Sequence, residues 1–329
     1  MTRILWVNNL ANICGGTLQA THSMVHALPG CEHIVLALAG RFDADCTAAF
    51  PQGTLLLSNQ TVRELTDTHK PELLVYQNTR PADMTDDSGT ALSVYYQHSE
   101  HAGAAEARRR CARSFAVSKY LATAEGMPHD DVLYQPVTIP RKHEKCRPRD
   151  SGARVTLGRI CTPKASKWNP RHVIEPIREA ARYGSTRLRF VFVGAPPDIE
   201  TWVRKELERT DAEVEFHPAS YEARGLLHEW HFLLYSTDIQ ESFGRTVKEA
   251  QRCGCYPIVS SVGGFKEQIL QPEHGFLFEE VDEIPEAMAS ALERSNNGDW
   301  EPVAEPLMQW GETQGSLSNW RRDFLSRLR

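Results

Sequence analysis

Short apolar runs alternate with amphipathic stretches along the whole chain, and the alternation occurs twice, on either side of one polar segment. In the first half the runs at 4–7, 34–38, 55–57, 73–76, 94–96 and 115–117 have the length of buried strands. Helical stretches lie between several of them, such as 16–28, where Leu18, Val25 and Leu28 recur near helical spacing. Residues 140–152, PRKHEKCRPRDSG, then combine two prolines, a glycine and dense charge, the composition of a linker. Beyond it the alternation restarts with runs at 155–157, 190–193, 214–216, 232–235 and 258–259. Short buried strands separated by helices pair in parallel through right-handed crossovers. The expected fold is therefore α/β: two doubly wound Rossmann-like domains, 1–146 and 147–329, facing across a cleft. In such open sheets ligands sit beyond the carboxyl ends of the strands, so both halves can face one ligand. The tail 316–329, counted with the second domain, reads as a further amphipathic helix with Trp320, Phe324 and Leu328 on one stripe. Periodicity does not say which half buries that stripe.

Composition narrows the functional classes. The 329 residues are 41% hydrophobic and 24% charged, as in a soluble globular protein of two domains. A net charge of −6 argues against nucleic acid as the main partner, because phosphate binding favours a basic surface. The Arg108, Arg109, Arg110 and Arg113 run reads either as a local basic patch or as a solvated helix face. No stretch approaches the roughly 18 apolar residues that cross a bilayer, which leaves peripheral contact as the open membrane role. The start of the sequence lacks the pattern of a secretory signal. None of the eight cysteines forms CxxC, so reduced thiols and a cytoplasmic location are expected. Cys253 and Cys255 are expected to pack as small apolar side chains.

The most informative segment follows the apolar run 232–235. It reads ESFGRTVKE from Glu241 to Glu249 and continues AQRCGCYPIVSSVGG to Gly264. A helix is expected to start near Gly244 and to stop at Gly254. Gly244 has no side chain to block a ligand, and the first free amides of a helix bind anions. Glu249 then lies about 7 Å further along the helix at roughly 1.5 Å per residue. A carboxylate there is placed to accept both hydroxyls of a ribose, with Glu241 facing the other end of the ligand. Two acids bracketing an anion-binding helix start suit a sugar–diphosphate–nucleoside.

This segment resembles the signature of retaining GT-B glycosyltransferases, above all the large group known as family 4. There two glutamates separated by seven residues precede an Ala, a Cys-Gly or similar turn, and a Pro-Ile/Val-Val strand. Here those positions are Glu241, Glu249, Ala250, Cys253-Gly254 and Pro257-Ile258-Val259, and Val262-Gly263-Gly264 with Glu267 continues the likeness. The resemblance implies that Glu241 holds the transferred sugar and Glu249 the ribose. Ser242, Phe243 and Gly244 then supply backbone amides to sugar and phosphate. Leu157-Gly158-Arg159-Ile160 resembles the Gly-Arg pair ending the first strand of the family's donor domain, where a following lysine completes a clamp on the pyrophosphate. That lysine is Lys164 or Lys167, and Lys167-Trp168 is the closer match. Fixed cations at those positions stabilise the charge that builds on a departing diphosphate.

In the first half, Cys14-Gly15-Gly16-Thr17 resembles the family's glycine-rich loop, so Gly15 and Gly16 are donor-binding candidates. The absence of G-x-G-x-x-G and of a Walker A sequence counts against dinucleotide oxidoreductases and P-loop enzymes. Tyr95-Tyr96-Gln97-His98 ends a strand where the family commonly places a histidine facing the sugar, and Phe115-Ala-Val-Ser118 resembles a later strand. The catalytic candidates are thus His98, Glu241, Arg159 and Lys167. The likeness is firm over 155–278 and looser before it. It implies a retaining transfer without metal or other cofactor from a UDP-, GDP- or other nucleotide sugar to a carbohydrate, lipid-linked or small-molecule acceptor.

Three other readings share these residues. Asp43-Ala44-Asp45 is an Asp-x-Asp, the spacing with which a metal-dependent GT-A transferase holds a divalent ion against a diphosphate. A nucleotide-sugar 2-epimerase can share the two-domain architecture. A non-catalytic nucleotide-sugar sensor or partner would bind donor without turnover.

Overall fold

The structure is a computed structural model that describes residues 2–85, 91–147, 149, 154–182, 187–295 and 299–328. Residues 148 and 150–152 of the expected linker lie outside the described residues. The chain forms two compact units, Met1–Thr138 with Gln314–Arg329, and Ile139–Thr313. This corrects the expected boundary at 146/147 in two respects. Residues 139–147 go with the second unit, where His228 Nε2 bonds Pro140 O at 2.7 Å and Arg147 N donates to Glu229 at 2.7 Å. The last helix goes with the first unit instead of the second.

The first unit holds a six-stranded sheet of β1 (Arg3–Leu10), β2 (Glu32–Ala39), β3 (Leu55–Ser58), β4 (Leu73–Gln77), β5 (Leu92–Gln97) and β6 (Arg113–Ala116). Its order is β3-β2-β1-β4-β5-β6, with every pairing parallel. The second unit repeats the plan with β7 (Val155–Ile160), β8 (Leu188–Val193), β9 (Glu213–His217), β10 (Phe232–Tyr235), β11 (Tyr256–Ser260) and β12 (Phe276–Phe278). The order there is β12-β11-β10-β7-β8-β9, again parallel throughout. Counted from the first strand of each unit, both sheets have the strand order of a doubly wound dinucleotide-binding fold. Chain direction across the sheet reverses between β1 and β4 and between β7 and β10. A crevice opens at such a point, beyond the carboxyl ends of the two strands.

Burial explains why the strands read as apolar runs. On β8, Phe190 and Phe192 join the core on one face while Val191 and Val193 join the core on the other. A strand covered on both faces loses the polar alternation of a half-exposed one. Strand β12 was not among the expected strands, because three residues after Gly275 give no periodic signal. The helix Leu317–Arg327 is capped by Ser316, whose hydroxyl accepts from Asn319 N at 3.2 Å. Its Trp320 and Phe324 rings stack at 4.6 Å, and Phe324 meets Phe115 of β6 edge-on at 6.3 Å. The stripe is thus buried in the first unit by aromatic contact, and Leu328 is half-buried at its end.

Candidate active site

In the second unit the residues singled out from the sequence gather where β7 and β10 diverge. Arg159 is near the end of β7, and a short turn, Ala165–Lys167, follows. Tyr235 ends β10, and the chain then loops through Glu241 to the helix Arg245–Arg252. Lys167 Nζ and Glu241 Oε1 form a close ion pair, and Tyr235 donates its hydroxyl to the same oxygen at 3.2 Å. The side chains of Lys167 and Glu241 retain 25% and 19% exposure, so the pair is reachable by a ligand. Lys164 is exposed, which leaves Lys167 as the lysine directed at Glu241. Burial raises the Tyr235 phenol well above its ordinary pKa, so it stays a neutral donor.

Arg159 comes to the same place with a different task. It is buried, and its guanidinium lies 4.6 Å from the Tyr235 ring centre and 5.3 Å from that of Trp168. Nη1 donates to the carbonyls of His172 (3.2 Å) and Ser236 (3.1 Å), and Nη2 to that of Lys167 (2.9 Å). Arg159 therefore joins the loop after β7 to the loop after β10 and fixes the backbone of Lys167. The clamp expected of it on a pyrophosphate would compete with these three carbonyls.

Gly244 caps the helix Arg245–Arg252 at φ +78°, and a Cβ there would meet the Phe265 ring at 2.2 Å. Phe243 is buried and Ser242 half-buried. The loop they form is held by the segment after β11. Gly264 N donates to Glu241 O at 2.7 Å and Gly263 N to Gln240 Oε1 at 2.9 Å, while Gln268 Nε2 bonds Phe243 O and, at 3.2 Å, Gly244 O. Glu249 is on the helix as expected and is 2% exposed. It is paired closely with Arg224 and at 3.6 Å with Arg245, both buried. Sequence reasoning missed Tyr235, Arg224, Arg245 and Gln268. Arg245 had a signal, since it precedes Glu249 by four residues on a helix. Arg224, in the short turn Glu222–His228, had none.

Gly15, Gly16 and His98 belong to the first unit. Gly15 caps the helix Gly16–Ala27, with its amide bonded to Asn12 O at 2.8 Å. His98, buried after β5, sits in a one-directional chain of side-chain hydrogen bonds. Gln135 Nε2 donates to His98 Nδ1 (2.9 Å), His98 Nε2 to Gln77 Oε1 (2.5 Å), Gln77 Nε2 to Thr21 Oγ1 (2.7 Å) and Thr21 Oγ1 to Asn8 Oδ1 (2.7 Å). Both ring nitrogens have partners, so the imidazole is oriented as a single tautomer. Asp43 caps the helix Ala44–Ala49 by accepting from Cys46 N at 2.8 Å, which accounts for the first acid of the Asp-x-Asp. Of the arginine run, Arg108 pairs with Glu125 at 2.9 Å, Arg110 with Glu106 at 3.0 Å, and Arg113 donates to Arg327 O at 3.3 Å. Cys253 and Cys255 are buried, and burial raises the Cys255 thiol to about 12.

Residues 154–295, which include this whole cluster of the second unit, match the family described as Glycosyl transferases group 1. The match spans less than half of the chain and lies within the second unit. A search of curated proteins finds no match. Among solved structures the chain is similar to HepE of Anabaena in complex with UDP and glucose. The two share 16% identity and a TM-score of 0.74, over 100% of this chain and 99% of the other. It also resembles a glycosyltransferase of Rickettsia africae (13% identity, TM-score 0.75, 99% and 97% covered). A putative UDP-N-acetylglucosamine 2-epimerase of Listeria monocytogenes is similar as well (13%, 0.64, 96% and 94%). At these identities the likeness establishes the fold, a GT-B pair of Rossmann-like domains. The glycosyltransferase and the epimerase share that fold, and the family match over 154–295 is to the glycosyl transferases.

Proposed function

We propose that this glycosyltransferase moves a sugar, with retention of configuration and without a metal, from a nucleoside diphosphate donor to an acceptor hydroxyl. The observation that carries this reading is the Lys167–Glu241 pair at the β7/β10 divergence, beside the Gly244-capped helix. Lys167 meets the diphosphate and neutralises charge as it leaves. Glu241 accepts hydrogen bonds from the sugar hydroxyls, and the amides of Ser242, Phe243 and Gly244 face the phosphates. Glu249 accepts the ribose hydroxyls while Arg224 and Arg245 balance its charge. Arg159 acts by holding Lys167 in place. Gly15 and Gly16 are assigned to donor binding and His98 to the sugar on the family resemblance alone. In this scheme the leaving phosphate takes the acceptor's proton, so a dedicated base is not required.

UDP in the HepE complex supports a uridine donor, with GDP and other nucleotides as the alternatives. The acceptor is assigned to the first unit, since the motif residues of the second face the donor. A cytoplasmic location fits the eight free cysteines, and no described helix is long and apolar enough to cross a membrane. Calorimetric titration with UDP-, GDP-, ADP- and dTDP-glucose tests the reading. One of them should bind, and Lys167→Ala should abolish that binding. Donor consumption without any acceptor would favour epimerase chemistry instead.

A further inference from the structure

The Lys167–Glu241 pair carries a second property, which rests on the donor reading above. Glu241 Oε1 takes both the Lys167 ammonium and the Tyr235 hydroxyl, whereas Oε2 makes no hydrogen bond among the described residues. The pair is thus a cation beside a carboxylate that keeps an open acceptor oxygen. A ligand that brings a phosphate to Lys167 necessarily brings it near Glu241. Two such ligands differ in what they place there. In a nucleotide sugar the distal phosphate is a diester with one negative charge, and the sugar attached to it offers hydroxyl donors to Oε2. In the free nucleoside diphosphate the same phosphate is terminal, carries about −2 above its second pKa near 6, and offers only acceptors. Like charges at that separation repel, and an open acceptor facing another acceptor gains no hydrogen bond.

We propose that Glu241, held by Lys167 and Tyr235, discriminates against the free nucleoside diphosphate and thereby favours donor entry and product release. Selectivity of this kind combines an attractive element for one ligand with a repulsive one for the other. Lys167 attracts both ligands, and Glu241 rewards only the one that carries hydroxyls. Tyr235 keeps the carboxylate in position when Lys167 turns to the phosphate. Because the phenol stays neutral and buried, it holds Glu241 without cancelling its charge. Tyr235 is accordingly a positioning residue for the discrimination.

The test is calorimetric titration of the full chain with UDP, UDP-glucose, GDP and GDP-mannose, at pH 8 and at pH 5.5. The wild type should bind a nucleotide sugar more tightly than its diphosphate at pH 8, and the gap should narrow at pH 5.5 as the terminal phosphate gains a proton. Glu241→Gln keeps the shape and removes the charge. It should tighten diphosphate binding about fivefold, the scale of a part-exposed charge pair, and lose the pH dependence. Tyr235→Phe should narrow the same gap in the same direction, by about twofold. Diphosphate affinity unchanged or weakened in Glu241→Gln, with wild-type binding intact, overturns the inference and leaves the donor reading standing. If none of these four probes, nor ADP-glucose or dTDP-glucose, binds the wild type, both the inference and the donor reading are overturned.

Discussion

Glu249 is the residue whose replacement is easiest to misread. Its side chain is 3% exposed and is shared between Arg224 and Arg245, whose side chains are 9% and 7% exposed. Replacing Glu249 by Gln leaves two buried guanidinium groups facing a neutral amide. Breaking a buried pair in this way costs about 3–5 kcal/mol, because the remaining charge is uncompensated. Arg224→Met is milder. It keeps Glu249 beside Arg245 and removes one charged hydrogen bond, at about 1.5–3 kcal/mol. Combined, the two changes leave one arginine opposite an amide, so the double variant should cost less than the sum by at least about 1.5 kcal/mol. Against a total stability on the order of 5–15 kcal/mol, the Glu249 change alone is a large fraction. Hydrogen exchange of the slowest amides in the helix Arg245–Arg252 measures these values locally, which avoids fitting a two-unit chain to one transition. Additive costs, or a Glu249→Gln penalty below about 1 kcal/mol, would show that the arginines do not depend on Glu249 and that the pairing does not organise the site.

Three further outcomes are expected. The ribose role is isolated on the ligand side: wild type should prefer UDP to 2′-deoxy-UDP about tenfold, and Glu249→Gln should show no preference, whatever its stability. A preference retained in that variant removes Glu249 from the ribose. Lys248 is fully buried, bonded to Gln251 Oε1 at 2.7 Å and 5.4 Å from the Trp310 ring centre, and burial pulls its pKa down to about 7. A base whose pKa is lower folded than unfolded binds fewer protons in the native state, so wild-type stability rises with pH from about 7 toward the unfolded value near 10.4. Relative to Lys248→Met, the wild type should therefore gain about 2 kcal/mol between pH 7 and pH 9, and a pH-independent difference in urea unfolding would contradict the burial. Finally, donor affinity should be the same with and without EDTA. A loss on chelation that manganese restores would return attention to Asp43 and Asp45.

How much of this was visible beforehand follows from where the energy of each feature resides. The central strands β4, β8, β10 and β11 announce themselves because both faces are covered and every residue is buried. The edge strand β9 shows only as an apolar core of a polar-alternating EVEFH, and Phe276–Phe278 is too short to do so. Gly244 and Glu249 were legible because one loop and one helix carry both, whereas Lys167 and Glu241, 74 positions apart, were singled out only by resemblance to the family's motifs. Arg224 was not, since its contact with Glu249 spans 25 positions and depends on how a short turn packs beneath the helix. The stripe of Trp320 and Phe324 showed that the last helix is buried, but only the Phe115 ring identifies its host. Arg159 illustrates the opposite case. Its position on the strand Val155–Ile160 was legible, yet nothing in its neighbours along the chain reveals that three carbonyls hold its guanidinium.

The glycines after β11 bear on attempts to change which donor is accepted. A Cβ on Gly263 would meet Glu241 O at 2.3 Å, and one on Gly264 would meet Ser242 O at 2.5 Å. The loop 236–244 is therefore cast against the backbone of 262–268, with Gln268 closing the mould. Grafting that loop alone from a relative of different donor preference would set a new backbone path against an unchanged template, and the graft would be forced out of register. The two segments form one transplantable cassette, braced from the intervening helix by Gln251, whose Nε2 donates to Gln268 O at 3.0 Å. On the proposed donor reading, an exchange of donor preference in this scaffold requires moving both together.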